Sequence, residues 1–436
     1  MSEASYISKC LHLVEVKVNR GNSHDWTPGD YKILQKLIFD ASSINLSTFT
    51  LERLYGKLKI HKDYNPQAET KNALAIFLGY ADWDDFKTKN PLRTKKQVQL
   101  SQPGFEHGEK NSKSEKNRKL RIGLLITTIG IFSVIIFALV SHQPTINKVN
   151  FKAVNAYGKA PHTVKFIHDL SGQKGDDFSI FVPELWYTTK LSKTQKFSLQ
   201  AIVLPGWFHA YLLNGPKIIG QALLFNETSG WQANYTNYKY DHKEHTWTLP
   251  KSAASPSKGR LFTPLSFLPD SVRNVRSRYF LSYFNIRKFE VSGDNLAFET
   301  RFRNKEQGAY AHCSDIWFRL IGTNGILKMH FLTTGCTGYV DMEFGEKRVT
   351  GITEVLTPFG VNMQTWKNAR LEVKDKLVTI YRDGSLIFKT RYSQSVGSIV
   401  GMEITSRING ETDYVKLYND KRKLVYEDDF GGKVID

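Results

Sequence analysis

The chain is poor in cysteine, with three in 436 residues. Cys10, Cys313 and Cys336 are too few for a disulfide scaffold, so hydrophobic cores must hold its domains. There is no Gly-x-Ser-x-Gly elbow, no zinc-binding histidine pair and no Gly-rich phosphate loop. These absences remove the usual signatures of serine hydrolases, zinc proteases and P-loop enzymes. No cofactor and no metal are expected. One stretch, 122–140, lacks charge, Pro, Asn and Gln altogether.

That stretch is apolar on every face, unlike the one-sided stripe of an amphipathic helix. At 1.5 Å per residue it covers about 28 Å, close to the hydrocarbon core of a bilayer. Lys110, Lys113, Lys116, Arg118, Lys119 and Arg121 crowd its N-terminal side, against Lys148, Lys152 and Lys159 beyond it. The sequence therefore predicts one transmembrane helix over 120–141. The positive-inside rule puts the N-terminus in the cytoplasm and the C-terminal domains outside the inner membrane.

Charge of both signs is present, with a net charge of +18 that splits as +6 before Arg121 and +11 from Ile122 on. The excess is not confined to a DNA-binding tail. A basic exterior favours acidic glycans, lipid headgroups or an acidic protein. Asn226-Glu-Thr and Asn234-Tyr-Thr match the glycosylation sequon, which carries meaning only in a eukaryotic secretory pathway.

Before the apolar stretch the pattern is helical. "YKILQKLIFDASS" groups Ile33, Leu34, Leu37 and Ile38, "STFTLERLYGK" opens at a capping Ser47, and "PQAETKNALAIFLG" runs from Pro66 to Gly79. Trp83 and Phe86 add packing residues. Residues 1–87 form a small helical module, and 88–119 reads as a polar basic linker. The order of these pieces over Tyr31 to Phe86 resembles the helix-turn-helix domains of phage-repressor type. That resemblance implies a second motif helix from Ser47 to Lys57, with Thr48, Thr50 and Arg53 facing bases or phosphates and Lys57, Lys59 and Lys62 facing the backbone. A turn without the usual Gly, and Phe49 in an exposed position, fit a module that binds a protein instead.

After the apolar stretch the period changes to 2. Short Val-, Phe- and Tyr-rich runs broken by Gly and Pro predict an all-β immunoglobulin-like sandwich over 148–249. Its "AYGKAPHTVKF" and "PGWFHAYL" resemble PKD-type domains of bacterial envelope proteins, which act as spacers or adhesion modules. A Ser- and Pro-rich connection, 250–269, leads to the last domain, 270–436. There "WKNARLEV", "VTIYRDG", "VGMEI", "DYVKLY" and "YEDDF" resemble concanavalin-like jelly rolls of the laminin-G and bacterial lectin type. The resemblance implies two packed antiparallel sheets, a concave ligand face and a last strand returning beside the first. The fold class read from the whole chain is multidomain: a small all-α domain, one transmembrane helix, an immunoglobulin-like sandwich and a concanavalin-like jelly roll.

Within this last domain Asn324-Gly325 reads as a type I′ turn, which needs φ > 0 at both residues. Pairing about that turn makes partner numbers sum to 649 and sets Cys313 opposite Cys336, within disulfide reach. "FETRF" and "SDIWFRL" alternate Glu299 and Arg301, then Asp315, Trp317 and Arg319, against apolar residues. With Glu403 these are the candidates for the ligand face. The Glu-x-Asp-x-x-Glu signature of catalytic laminarinase-like jelly rolls is absent, although Glu299, Asp315 and Glu403 converging from different strands would supply the paired carboxylates of glycoside hydrolysis. The sequence thus reads as a membrane-anchored envelope protein whose outer jelly roll recognises a ligand, with a glycan the first expectation. Its inner module meets DNA or a protein, and signalling through one helix calls for association between copies of the chain. A tethered glycoside hydrolase and a structural adhesion protein are the competing readings.

Overall fold

The computed structural model describes residues 3–26, 28–57, 65–91, 149–185, 187–237, 245–254, 259–270, 279–305, 313–408, 410–431 and 434–435. The expected spanning segment 120–141, the expected linker from residue 92 on, and Lys59 and Lys62 lie outside them. Residues 1–90 and 150–436 form one compact unit.

Its helices are α1 (Glu3–Val18), α2 (Pro28–Ser42), α3 (Thr48–Leu54), α4 (Ala68–Leu78) and α5 (Trp83–Lys89). In α1, Cys10, Val14 and Val18 recur every fourth position and are buried. The Ser47 side chain accepts the Thr50 amide and starts α3. Gly79, at φ 96°, ends α4 in the left-handed conformation.

Eight strands follow residue 150: β1 (Phe151–Val154), β2 (Tyr157–Lys159), β3 (His162–His168), β4 (Phe178–Val182), β5 (Tyr187–Leu191), β6 (Phe197–Ile202), β7 (Gly206–Asn214) and β8 (Lys217–Glu227). They form a three-stranded sheet, β1-β3-β6, and a five-stranded sheet, β2-β8-β7-β4-β5. All five residues of β4 are buried, which its near-continuous apolar run "FSIFV" requires of a strand covered on both faces. One cover is the helical layer, because Phe181, Tyr211 and Leu213 belong to the same core as Leu34, Ile38 and Phe77.

This packing corrects the expected fold class. The described chain is mostly β, and its helices are a layer on the β-structure instead of a domain set apart from it. No helix among the described residues is long and apolar enough to cross a membrane. The chain on either side of 91–149 shares one core.

The second sandwich begins with β9 (Gln232–Asn237) and β10 (His245–Thr248), which fall within the 148–249 expected for the first. It continues through β11 (Tyr279–Ile286), β12 (Leu296–Arg303), β13 (Asp315–Gly322), β14 (Ile326–Thr333), β15 (Asp341–Phe344), β16 (Lys347–Thr350) and β17 (Gly360–Val361). It closes with β18 (Lys367–Lys374), β19 (Leu377–Arg382), β20 (Ser385–Arg391), β21 (Ile399–Arg407), β22 (Glu411–Tyr418), β23 (Leu424–Asp428) and β24 (Val434–Ile435). A nine-stranded sheet runs β10-β9-β11-β21-β13-β14-β15-β16, with β17 beside β14, and a seven-stranded sheet runs β20-β19-β18-β12-β22-β23-β24. The late strands return beside the early ones, β21 against β11 and β22 against β12, as in a jelly roll. Phe298, Phe302, Phe318 and Phe331 fill the space between the sheets.

Cys313 and Cys336 are joined, with Cα atoms 5.7 Å apart, by a different register from the expected one. Ile321 pairs with Ile326 and Asp315 with Leu332, so partner numbers sum to 647. The turn therefore centres on Thr323-Asn324, and neither Asn324 nor Gly325 has positive φ. Gly322 is needed there for close approach, since a Cβ on it would lie 2.2 Å from the Val396 carbonyl oxygen. Cys336 reaches Cys313 because the chain turns back after β14, with the Cys336 amide bonded to the Thr333 carbonyl. Asn226 and Asn234 of the two sequons are buried, and Asn226 donates to the carbonyls of Ile202 and Leu204.

Candidate functional site

Strand alternation decides which side chains leave the seven-stranded sheet. Phe298, Thr300 and Phe302 of β12 point into the core, as do Ala369, Leu371 and Val373 of β18 and Val415 and Leu417 of β22. Glu299, Arg301, Asn368, Arg370, Glu372, Tyr414, Lys416 and Tyr418 take the other face. Registers align Tyr381 with Arg370, Arg370 with Glu299, Glu299 with Lys416 and Lys416 with Glu427. Aromatic, cation, anion, cation and anion thus follow one another across five strands.

An open groove of about 400 Å³ lies on this row, lined by Glu299, Asn368, Arg370, Glu372, Tyr381, Tyr414 and Arg422. One end is the Asp383-Gly384 turn, where φ values of 48° and 82° suit a two-residue hairpin. Arg370 approaches Glu299 at 3.5 Å and also pairs with Glu372. Arg422 reaches Glu372 at 3.5 Å with 79% of its side chain exposed. The Tyr418 hydroxyl donates to Glu299 at 3.3 Å. Burial and the neighbouring Glu299 carboxylate raise the hydroxyl pKa values of Tyr414 and Tyr418, so both remain hydrogen-bond donors at neutral pH. Arg370 lies 5.8 Å from the Tyr381 ring and Lys416 5.4 Å from the Tyr414 ring. Arg301 pairs with Asp413 at 3.0 Å, and Arg301 and Arg303 both lie over Trp366, at 5.1 and 4.2 Å.

The six residues expected on one ligand face are divided between two. Glu299 and Arg301 lie on the outer face of the seven-stranded sheet. Asp315, Trp317, Arg319 and Glu403 lie on the outer face of the nine-stranded sheet, across the core. The three carboxylates proposed to converge therefore do not. Arg370, Glu372, Tyr381, Tyr414 and Arg422 are groove residues that the sequence reading missed, although "ARLEV" and "YVKLY" carry the same alternation as "FETRF".

The nine-stranded face is filled by its own side chains. Arg319 pairs with Glu403 at 2.6 Å, and the Thr405 hydroxyl donates to Glu403 at 2.9 Å. Asp315 accepts the Arg407 amide at 2.9 Å. Trp317 sits against Phe280, His330 and Lys328. Further along, Asp341 accepts from Lys328 at 3.0 Å and from Arg348 at 2.7 Å. Burial works against ionisation of Asp341, yet these two cations hold its carboxyl well below the usual range. Burial pushes the neighbouring Glu343 carboxyl up to about 7, against the pull of Arg319 and Arg348.

Arg348 also bonds both carboxylate oxygens of Glu52, at 2.9 and 2.8 Å, and lies over the Phe49 ring. Glu52 and Phe49 belong to α3, the helix expected from the sequence to face DNA bases or phosphates. Thr48 is half-buried, Thr50 is held by the Ser47 cap, Arg53 lies over Phe49, and Lys57 bonds the His24 carbonyl. The Phe49–Glu52 side of α3 is docked on β16 and is not presented to a nucleic acid.

No protein-family model matches the chain, and no curated protein matches it in sequence. Among solved structures it is similar to the Emp47p carbohydrate recognition domain, at 15% identity and a TM-score of 0.27, covering 44% of this chain and 89% of that one. It is also similar to the carbohydrate-binding module CBM66 from Bacillus subtilis, at 11% identity and a TM-score of 0.22, covering 33% and 79%. A structure from work on endo-acting O-glycanases of the human gut microbiota gives 14% identity and a TM-score of 0.25, covering 32% and 73%. Likenesses this distant transfer no function.

Proposed function

We propose that the jelly roll binds a glycan in the groove on the outer face of its seven-stranded sheet. The observation that carries this is the Tyr381–Arg370–Glu299–Lys416 row, flanked by Tyr414 and Glu372. Sugars present apolar C–H faces beside hydroxyls that both donate and accept. The groove offers rings for the first and alternating carboxylates and guanidinium groups for the second. Trp366 already carries two guanidinium groups, so stacking falls to the tyrosines.

Binding is favoured over hydrolysis, because Arg370 stands against both Glu299 and Glu372 where a hydrolase needs one carboxyl to carry a proton. The Cys313–Cys336 disulfide supports a working site where disulfides persist, in the cell envelope or beyond it. The repressor-type and PKD-type likenesses rest on motif order alone. The test is a glycan array probed with the full chain: spots retained by the wild type should vanish for the Tyr381→Ala/Tyr414→Ala double variant. Retention by both proteins, or by neither, contradicts the proposal.

A further inference from the structure

Resting on that reading, we propose that the groove selects neutral glycans and engages them through neighbouring hydroxyls that bridge Arg370 and its carboxylates. The groove lining holds two arginines, Arg370 and Arg422, against two glutamates, Glu299 and Glu372. Each arginine is paired with a glutamate. The same pairing continues beyond the groove in Arg301–Asp413 and Lys416–Glu427. The groove is charge-compensated although the chain carries a net +18.

An anionic sugar entering here would have to displace a carboxylate from its guanidinium partner. It would then lie against that carboxylate, and like charges at contact disfavour binding. A neutral hydroxyl meets no such conflict, because it accepts from Arg370 and donates to Glu299 or Glu372 while the ion pair persists. Two adjacent hydroxyls on one ring match the two carboxylates that share Arg370. Recognition of this kind is insensitive to salt, whereas a polyanion held by lysines and arginines is released as ionic strength rises.

Native gels containing dextran, mannan or laminarin, and parallel gels containing polygalacturonate or heparin, separate the outcomes. They are run with the full chain, Glu299→Gln and Tyr414→Ala at about 0.05 M and about 0.5 M NaCl. The expected result is retardation by at least one neutral polymer that changes less than about twofold with salt and weakens about tenfold or more in both variants. Retardation by an acidic polymer that Tyr414→Ala abolishes overturns the neutral selectivity while leaving the groove as a glycan site. Acidic retardation unchanged in the variants, with no neutral polymer bound, overturns the groove reading itself.

Discussion

Glu52 of α3 and Arg348 of β16 are separated by 296 positions and meet at 2.8 Å as a largely buried ion pair. The contact ties the helical layer to the jelly roll. Burial raises the Glu52 carboxyl pKa against the pull of Arg348. Arg348→Ala would leave that carboxylate buried beside Asp341 without its cation. The expected loss is about 3–5 kcal/mol in urea denaturation. A double-mutant cycle with Glu52→Gln should show clear coupling, and additive losses would mean that the two side chains do not meet.

Glu343 predicts a dependence on pH. Its folded carboxyl is raised from 4.5 to about 7, so the folded chain binds more protons than the unfolded one between those values. The contribution is complete below about 4.5 and is lost as pH rises through about 7. Glu343→Gln removes that loss. The variant should gain on the order of 3 kcal/mol over wild type at pH 8 compared with pH 4.5. Parallel stability curves for the two proteins over this range would contradict the assignment.

Joining Cys313 to Cys336 closes a loop across a sequence separation of 23. Cys313→Ser/Cys336→Ser should cost on the order of 3 kcal/mol. Alkylation of the denatured, unreduced chain should label Cys10 alone. Labelling at all three cysteines would show that the bond is not formed.

Backbone approach gives a fourth stability test. Gly322→Ala sets a Cβ against the Val396 carbonyl oxygen and should destabilise by about 2 kcal/mol or more in thermal unfolding. Gly384→Ala meets nothing within 4 Å but sits at φ 82°, and should cost only about 1 kcal/mol. The opposite order would place the hairpin turn elsewhere.

Much of the local pattern was legible in the sequence, while the long-range pairing was not. Alternation in "FETRF" and "SDIWFRL" separated core from surface residues, but nothing local shows that β12 joins β18 and β22 while β13 joins β21. Glu299 and Asp315 consequently lie on opposite faces. The hairpin turn was displaced because Gly322 and Gly325 pair with each other, and tight packing under Val396, not positive φ, demands the glycine. The fourfold spacing of Cys10, Val14 and Val18 is the sequence signal for α1. Docking of α3 on β16 had no local signal, since Glu52 and Arg348 each look like ordinary surface charges.

The most direct test of the groove sets it against the opposite face. In native gels containing dextran, mannan or laminarin, Tyr414→Ala should abolish the retardation of the full chain, while Trp317→Phe should leave it unchanged. Retardation lost in Trp317→Phe and kept in Tyr414→Ala would contradict the account and move the site to the nine-stranded sheet.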